Sequence, residues 1–145
     1  MSLTEEFLTP TEEQQIVQAI IDAENQTSGE IRVHIEEHSD LEVIARAKEI
    51  FFELEMEKTN ARNGVLFYIG VQDRHFAIIG DVGIDKVVPH DFWDCTKDIV
   101  IEHFKKQEYC KGLVMGIQRA GEQLKKYFPN SANDANELPN EITRS

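Results

Sequence analysis

Apolar residues recur along this chain with two periods, and each change of period marks an element. Thr9-Pro10-Thr11-Glu12 opens the first helix: the Thr hydroxyl can cap, Pro tolerates the first helical position and Glu12 completes a capping box. Ile16, Val17, Ala19, Ile20 and Ala23 then fall on one face, which predicts an amphipathic helix from Pro10 to about Gln26. Thr27-Ser28-Gly29 breaks it. From Glu30 to Glu36 the period drops to two, with Ile31, Val33 and Ile35 on one side and Arg32, His34 and Glu36 on the other, the pattern of a half-buried strand. Ser39-Asp40-Leu41-Glu42 reads as a second capping box, ahead of a helix striped by Val43, Ile44, Ala47, Ile50, Phe51 and Leu54.

Lys58 to Arg62 carries no apolar period. Val65 to Val71 is apolar on both faces, which fits a central strand covered on both sides. His75 to Ile79 pairs back across Gln72-Asp73-Arg74, which lacks the Asn-Gly or Asp-Gly signature, so a loop of about three to five residues is expected. Pro89 begins a third helix carrying Phe92, Cys95, Ile99 and Phe104. A fourth carries Leu113, Ile117, Ala120, Leu124 and Phe128, with Gly112 and Gly116 suited to close packing against a neighbour. Lys86 to Val88 is a candidate fourth strand. Together these predict an α/β fold, a small mixed sheet of three to four strands with helices on both faces: the first two strands parallel, the third antiparallel to the second. Residues 1–128 form one domain, and 129–145 a polar tail, mobile or docked on the surface.

Composition narrows the functional classes. The chain has 145 residues, 41% hydrophobic and 29% charged, enough to bury a real core. Its net charge of −12 argues against nucleic acid, because a phosphate backbone would be repelled, and the same field attracts cations. No apolar run is long enough to span a bilayer, and MSLTEEFLTP shows no secretory signal, so no membrane partner and a cytoplasmic location are expected. Cys95 and Cys110 lack CxxC spacing and read as buried reduced thiols.

The predicted topology has a chemical consequence. Parallel first and second strands put their N-terminal ends on one edge of the sheet, and the hairpin returns the end of the third strand to it. Glu30, the Lys58–Gly64 loop and the Gly80–Asp85 loop then meet. Carboxylates of Glu30, Asp81 and Asp85 would converge there beside the amide of Asn63, with Asp94 about one helical turn into the next helix. Clustered carboxylates repel, and a hard cation or a proton relieves them. Oxygen donors without nearby Cys or paired His favour calcium, with magnesium second. The loop is no EF-hand, and a glycine-bracketed turn with solvated acids explains the same residues, Gly80 and Gly83 then serving positive φ. No nucleophile stands beside a base, and no P-loop, G-x-S-x-G elbow or zinc-protease pattern is present.

Asn63-Gly64-Val65-Leu66, the hairpin and Gly80-Asp81-Val82-Gly83-Ile84-Asp85 resemble the TPM-domain family, in which an N-G-V-L strand leads through a hairpin to a glycine-acid loop. FLTPTEEQQIV and SGEIRVHIEEHSD look like its short stand-alone bacterial members. The resemblance implies a three-layer αβα sandwich whose two loops cross at one sheet edge and bind divalent metal there, mainly calcium. By position, Asp81 and Asp85 match the acidic loop and Asn63 its partner. A thylakoid-lumen relative is described as an acid phosphatase, so a metal-dependent hydrolase is one alternative. A metal-independent adaptor for a protein partner is another. The loop reads GDVGID where many members have GYGLE.

Overall fold

The computed structural model describes residues 6–129 and 141–145. Among these residues nine elements follow one another: α1 (Pro10–Glu24), β1 (Glu30–Glu36), α2 (Val43–Glu53), β2 (Gly64–Gly70), β3 (His75–Gly80), the single-turn α3 (Val82–Asp85), α4 (Phe92–Lys105), α5 (Tyr109–Tyr127) and β4 (Thr143–Arg144). The four strands form one sheet in the order β3-β2-β1-β4. β1 and β2 are parallel from Glu30 opposite Gly64 to Glu36 opposite Gly70, β3 is antiparallel to β2, and β4 is parallel to β1.

Both faces of the sheet are covered. On one, Ile31, Val33, Ile35, Val65, Phe67 and Ile69 pack with Ile16 and Ile20 of α1, Val100 of α4 and Leu113, Ile117 and Leu124 of α5. On the other, Leu66, Tyr68 and Ala77 meet Ala47, Ile50 and Phe51 of α2. Such side chains contribute about 1.5–3 kcal/mol each when fully buried. The result is a three-layer α/β sandwich around the central strand that the two-faced apolar run of β2 predicts. Gly112 and Gly116 let α5 approach α4, because a Cβ on either would stand 3.0 Å from His103 Cβ or 2.9 Å from Val100 Cγ2. Among the described residues no helix is long and apolar enough to cross a membrane.

Local signals hold where they are short-range. The Thr9 hydroxyl accepts from Glu12 N (3.1 Å) and the Glu12 carboxylate accepts from Thr9 N (2.9 Å), closing the expected capping box. Elsewhere the structure differs. Glu42, not Ser39, caps α2, its carboxylate accepting from Ile44 N at 2.7 Å. Pro89 lies in a turn and α4 begins at Phe92. Lys86–Val88 is a turn after α3, and the fourth strand comes instead from the polar C-terminal segment. β1 is buried along its whole length, because Arg32, His34 and Glu36 are covered too. Cys110 is buried as expected, whereas Cys95 is exposed.

Candidate functional site

The backbone of the predicted corner is assembled as the topology requires. Glu30 lies opposite Gly64, and Gly80 opposite Val65, so the start of β1, the start of β2 and the end of β3 share one edge. Two loops cross here and are hydrogen-bonded to one another: Asp81 N donates to Gly64 O (2.9 Å) and Gly83 N to Arg62 O (2.7 Å). Gly83 is required by contact and not by conformation. No glycine has positive φ, but a Cβ at Gly83 would stand 2.0 Å from Ala61 O and 2.6 Å from Arg62 O. The left-handed residue of the crossing is Arg62, at φ 52°.

The side chains are arranged less simply. Asp81, 5% exposed, accepts from Arg62 Nε (2.6 Å) and Nη2 (2.8 Å), and it also caps α3 through Val82 N at 2.7 Å. This carboxylate in turn holds the Arg62 guanidinium above its ordinary pKa. Asn63, 1% exposed, donates through Nδ2 to Ser28 Oγ (3.2 Å), while no hydrogen bond from the described residues reaches its Oδ1. Asp85 is exposed and accepts from Trp93 Nε1 at 3.0 Å. Asp94 is exposed on the first turn of α4. Glu30 is buried and pairs with the carboxyl of Glu24, which also accepts from Ile31 N at 2.7 Å. Burial, followed by the Glu30 charge and hydrogen bond, pushes Glu24 up to about 9 against the pull of the Ile31 amide, so Glu24 keeps at neutral pH a proton that it can share with Glu30.

Glu30, Asn63, Asp81 and Asp85 thus lie on loops and strand ends at this edge and Asp94 on α4, and their side chains do not form one cage. Among the described residues, no three His, Cys, Asp or Glu side chains gather where they could hold a metal ion. Oxygens of the kinds a hard cation takes are nonetheless carried by these loops: the Asp81 carboxylate, the amide oxygen of Asn63 and main-chain carbonyls. The chemistry of these donors suits calcium or magnesium. The charge count of this set is low, and Arg62 already engages the Asp81 carboxylate.

Arg62 and Glu24 were not among the residues singled out from the sequence. Arg62 sits directly before Asn63 in a loop without apolar period, so adjacency to a predicted donor was its only signal. Glu24 lies at the last turn of α1, and nothing local connects it to Glu30.

This fold is that of a known class. The TPM domain matches residues 2–123, and the chain belongs to the TPM-domain family. It is similar to BA42 from the psychrophilic bacterium Bizionia argentinensis, known from an NMR structure: identity is 50%, coverage 100% of both chains and TM-score 0.90. The N-terminal domain of a protein from P. gingivalis shares the fold at 17% identity, covering 84% of this chain and 79% of that one with TM-score 0.68. That of cg2496 from Corynebacterium glutamicum does so at 11%, with coverage of 86% and 78% and TM-score 0.65. No curated protein matches the sequence significantly.

Proposed function

We propose that this TPM domain binds a divalent cation, calcium before magnesium, where the loop preceding β2 crosses the loop following β3. One observation carries the reading: among the described residues, a buried carbonyl oxygen, Asn63 Oδ1, accepts no hydrogen bond beside a loop crossing that also buries the Asp81 carboxylate. An orphaned polar atom costs free energy, and supplying such oxygens with positive charge is what a hard cation does. Arg62 is the ion's competitor. Its side chain is 44% exposed, so the guanidinium can return to solvent at little desolvation cost when an ion takes Asp81. With so few charged donors the affinity belongs at the weak end for calcium, roughly 10⁻⁴–10⁻³ M. A cytoplasmic location and a response of loop order or partner binding to the ion belong to the same proposal.

Titration of calcium and magnesium, followed by amide NMR shifts and melting temperature, tests it. Saturable shifts should centre on residues 62–64 and 80–85, and melting temperature should rise with metal because the ion binds only the folded state. Asp81→Asn should abolish both responses. Arg62→Gln should tighten binding about tenfold by removing a charge-assisted competitor. No response at millimolar metal, or an equal response in Asp81→Asn, overturns the proposal.

A further inference from the structure

The polar side of β1 is buried, in part by the C-terminal end of the chain. Arg32 is 5% exposed, His34 3% and Glu36 6%. β4 lies parallel along this edge, Thr143 opposite His34 and Arg144 opposite Ile35, and Ser145 N donates to Ile35 O at 3.1 Å. Its side chains alternate as a strand's must. Thr143 and Ser145 face the polar stripe, where their hydroxyls occupy both ring nitrogens of His34, at 2.7 Å from Nδ1 and 2.6 Å from Nε2, and Ser145 Oγ also donates to Glu36 (3.2 Å). Ile142 packs on the main core and Arg144 pairs with Glu13 of α1.

These are the contacts of a peptide read by strand addition, with main-chain pairing along an edge and side-chain specificity at alternate positions. Two features make the strand exchangeable. It is two residues long, and its specific contacts are mostly polar, so an emptied groove would be wetted at small cost. Groups lining the groove also have partners other than the strand. Glu36 is held independently by Tyr68 Oη (2.5 Å) and by Arg46, whose Nη2 lies 2.6 Å away, and Ile31 N farther along the edge is already satisfied by Glu24. Glu24, Glu30 and Glu141 surround Arg32 and offset the effect of burial, which lowers its pKa.

We propose that the edge of β1 is a peptide-binding groove and that residues 141–145 are its built-in occupant. The partner it fits is an extended polypeptide segment that carries hydroxyl side chains at alternate positions, a basic residue between them and an aliphatic residue before. Such a segment binds by displacing β4, so the tethered strand sets a threshold through its high local concentration.

The test uses the isotope-labelled full chain and a capped synthetic peptide of sequence EITRS. In a Thr143→Ala/Ser145→Ala chain, the peptide should give saturable amide shifts confined to Glu13 and residues 32–36. The wild-type chain should need at least tenfold more peptide, and the control peptide EIARA should bind the variant at least tenfold more weakly than EITRS. No saturable shift in the variant, equal binding of EIARA, or equal affinity in wild type overturns the proposal. Hydrogen exchange on the wild-type chain provides a reading independent of the variant. The Ser145 amide should exchange much faster than those of β2, and equal protection would mean that the strand does not leave.

Discussion

Individual residues at the loop crossing are chosen by distance. Gly83 is the clearest case, since its amide hydrogen-bonds Arg62 O at 2.7 Å and leaves no volume for a methyl group. Gly83→Ala must push the two loops apart, and the obstructing atoms are backbone. The expected cost is roughly 1–3 kcal/mol, the ordinary range for overpacking. Thermal unfolding of the variant measures it, and amide shifts at residues 61–64 report whether the crossing opened. Arg62 shows the converse, a residue in left-handed backbone whose side chain folds back onto the neighbouring loop. Glycines there are readily seen in sequence, but the glycine-acid pattern does not disclose which steric wall each one meets. The expected use of Gly80 and Gly83 for positive φ is replaced by packing against Trp93 and against the Ala61–Arg62 backbone.

At the level of elements, the second face of β1 is where expectation and structure part. Strict alternation of Ile31, Val33 and Ile35 with Arg32, His34 and Glu36 states which residues share a face. It cannot state that the polar face is covered. α2 and β4 cover it by bringing partners: Arg46 Nε and Nη2 reach Glu36 at 2.9 and 2.6 Å, and the hydroxyls of Thr143 and Ser145 reach His34. Hydrogen bonds from Arg46 and Tyr68 hold the Glu36 carboxyl below its usual pKa although burial pushes the other way. Arg46→Ala would leave that carboxylate buried with its main counter-charge gone. A loss of roughly 3–5 kcal/mol is expected, measurable by urea unfolding, with the low end favoured because Arg46 sits near the surface.

Across the whole molecule, a buried group on β1 and a half-buried one on α1 tie stability to pH with opposite signs. Burial lowers His34 to about 4, with Glu36 opposing and Arg46 and Arg32 assisting. Below its ordinary value of 6.5 the unfolded chain binds a proton that the folded chain refuses, so stability is lost on acidification from 6.5 toward 4, by roughly 3 kcal/mol at the limit. Glu24 acts the other way. Its raised value means that the folded chain keeps a proton that the unfolded chain releases, so stability falls as pH rises from 4.5 toward 9. Glu24→Gln preserves the acceptor for Ile31 N and can donate to Glu30 without a shared proton. Melting temperature should therefore rise at pH 8 and fall less between pH 5 and 9 than in wild type. An unchanged slope would remove the shared proton from the account.

The succession of the four long helices and the first three strands, the central place of β2 and the edge on which the two loops meet were legible in the chain, whereas α3 and β4 were not. The legible features follow from apolar period and from connection rules that act between near neighbours. The donor geometry was not legible either. Asp81 is claimed by Arg62 19 residues away, His34 by Thr143 at a separation of 109, and Glu24 reaches Ile31 N seven residues on from the far side of a turn. A polar side chain has several admissible partners, and which one it takes depends on distances that exist only after the core has closed. Periodicity alone determined where apolar surface goes, because burial is non-directional and scales with area. The tertiary structure decided which charges and hydroxyls meet, because hydrogen bonds and ion pairs are satisfied at particular distances and angles or not at all.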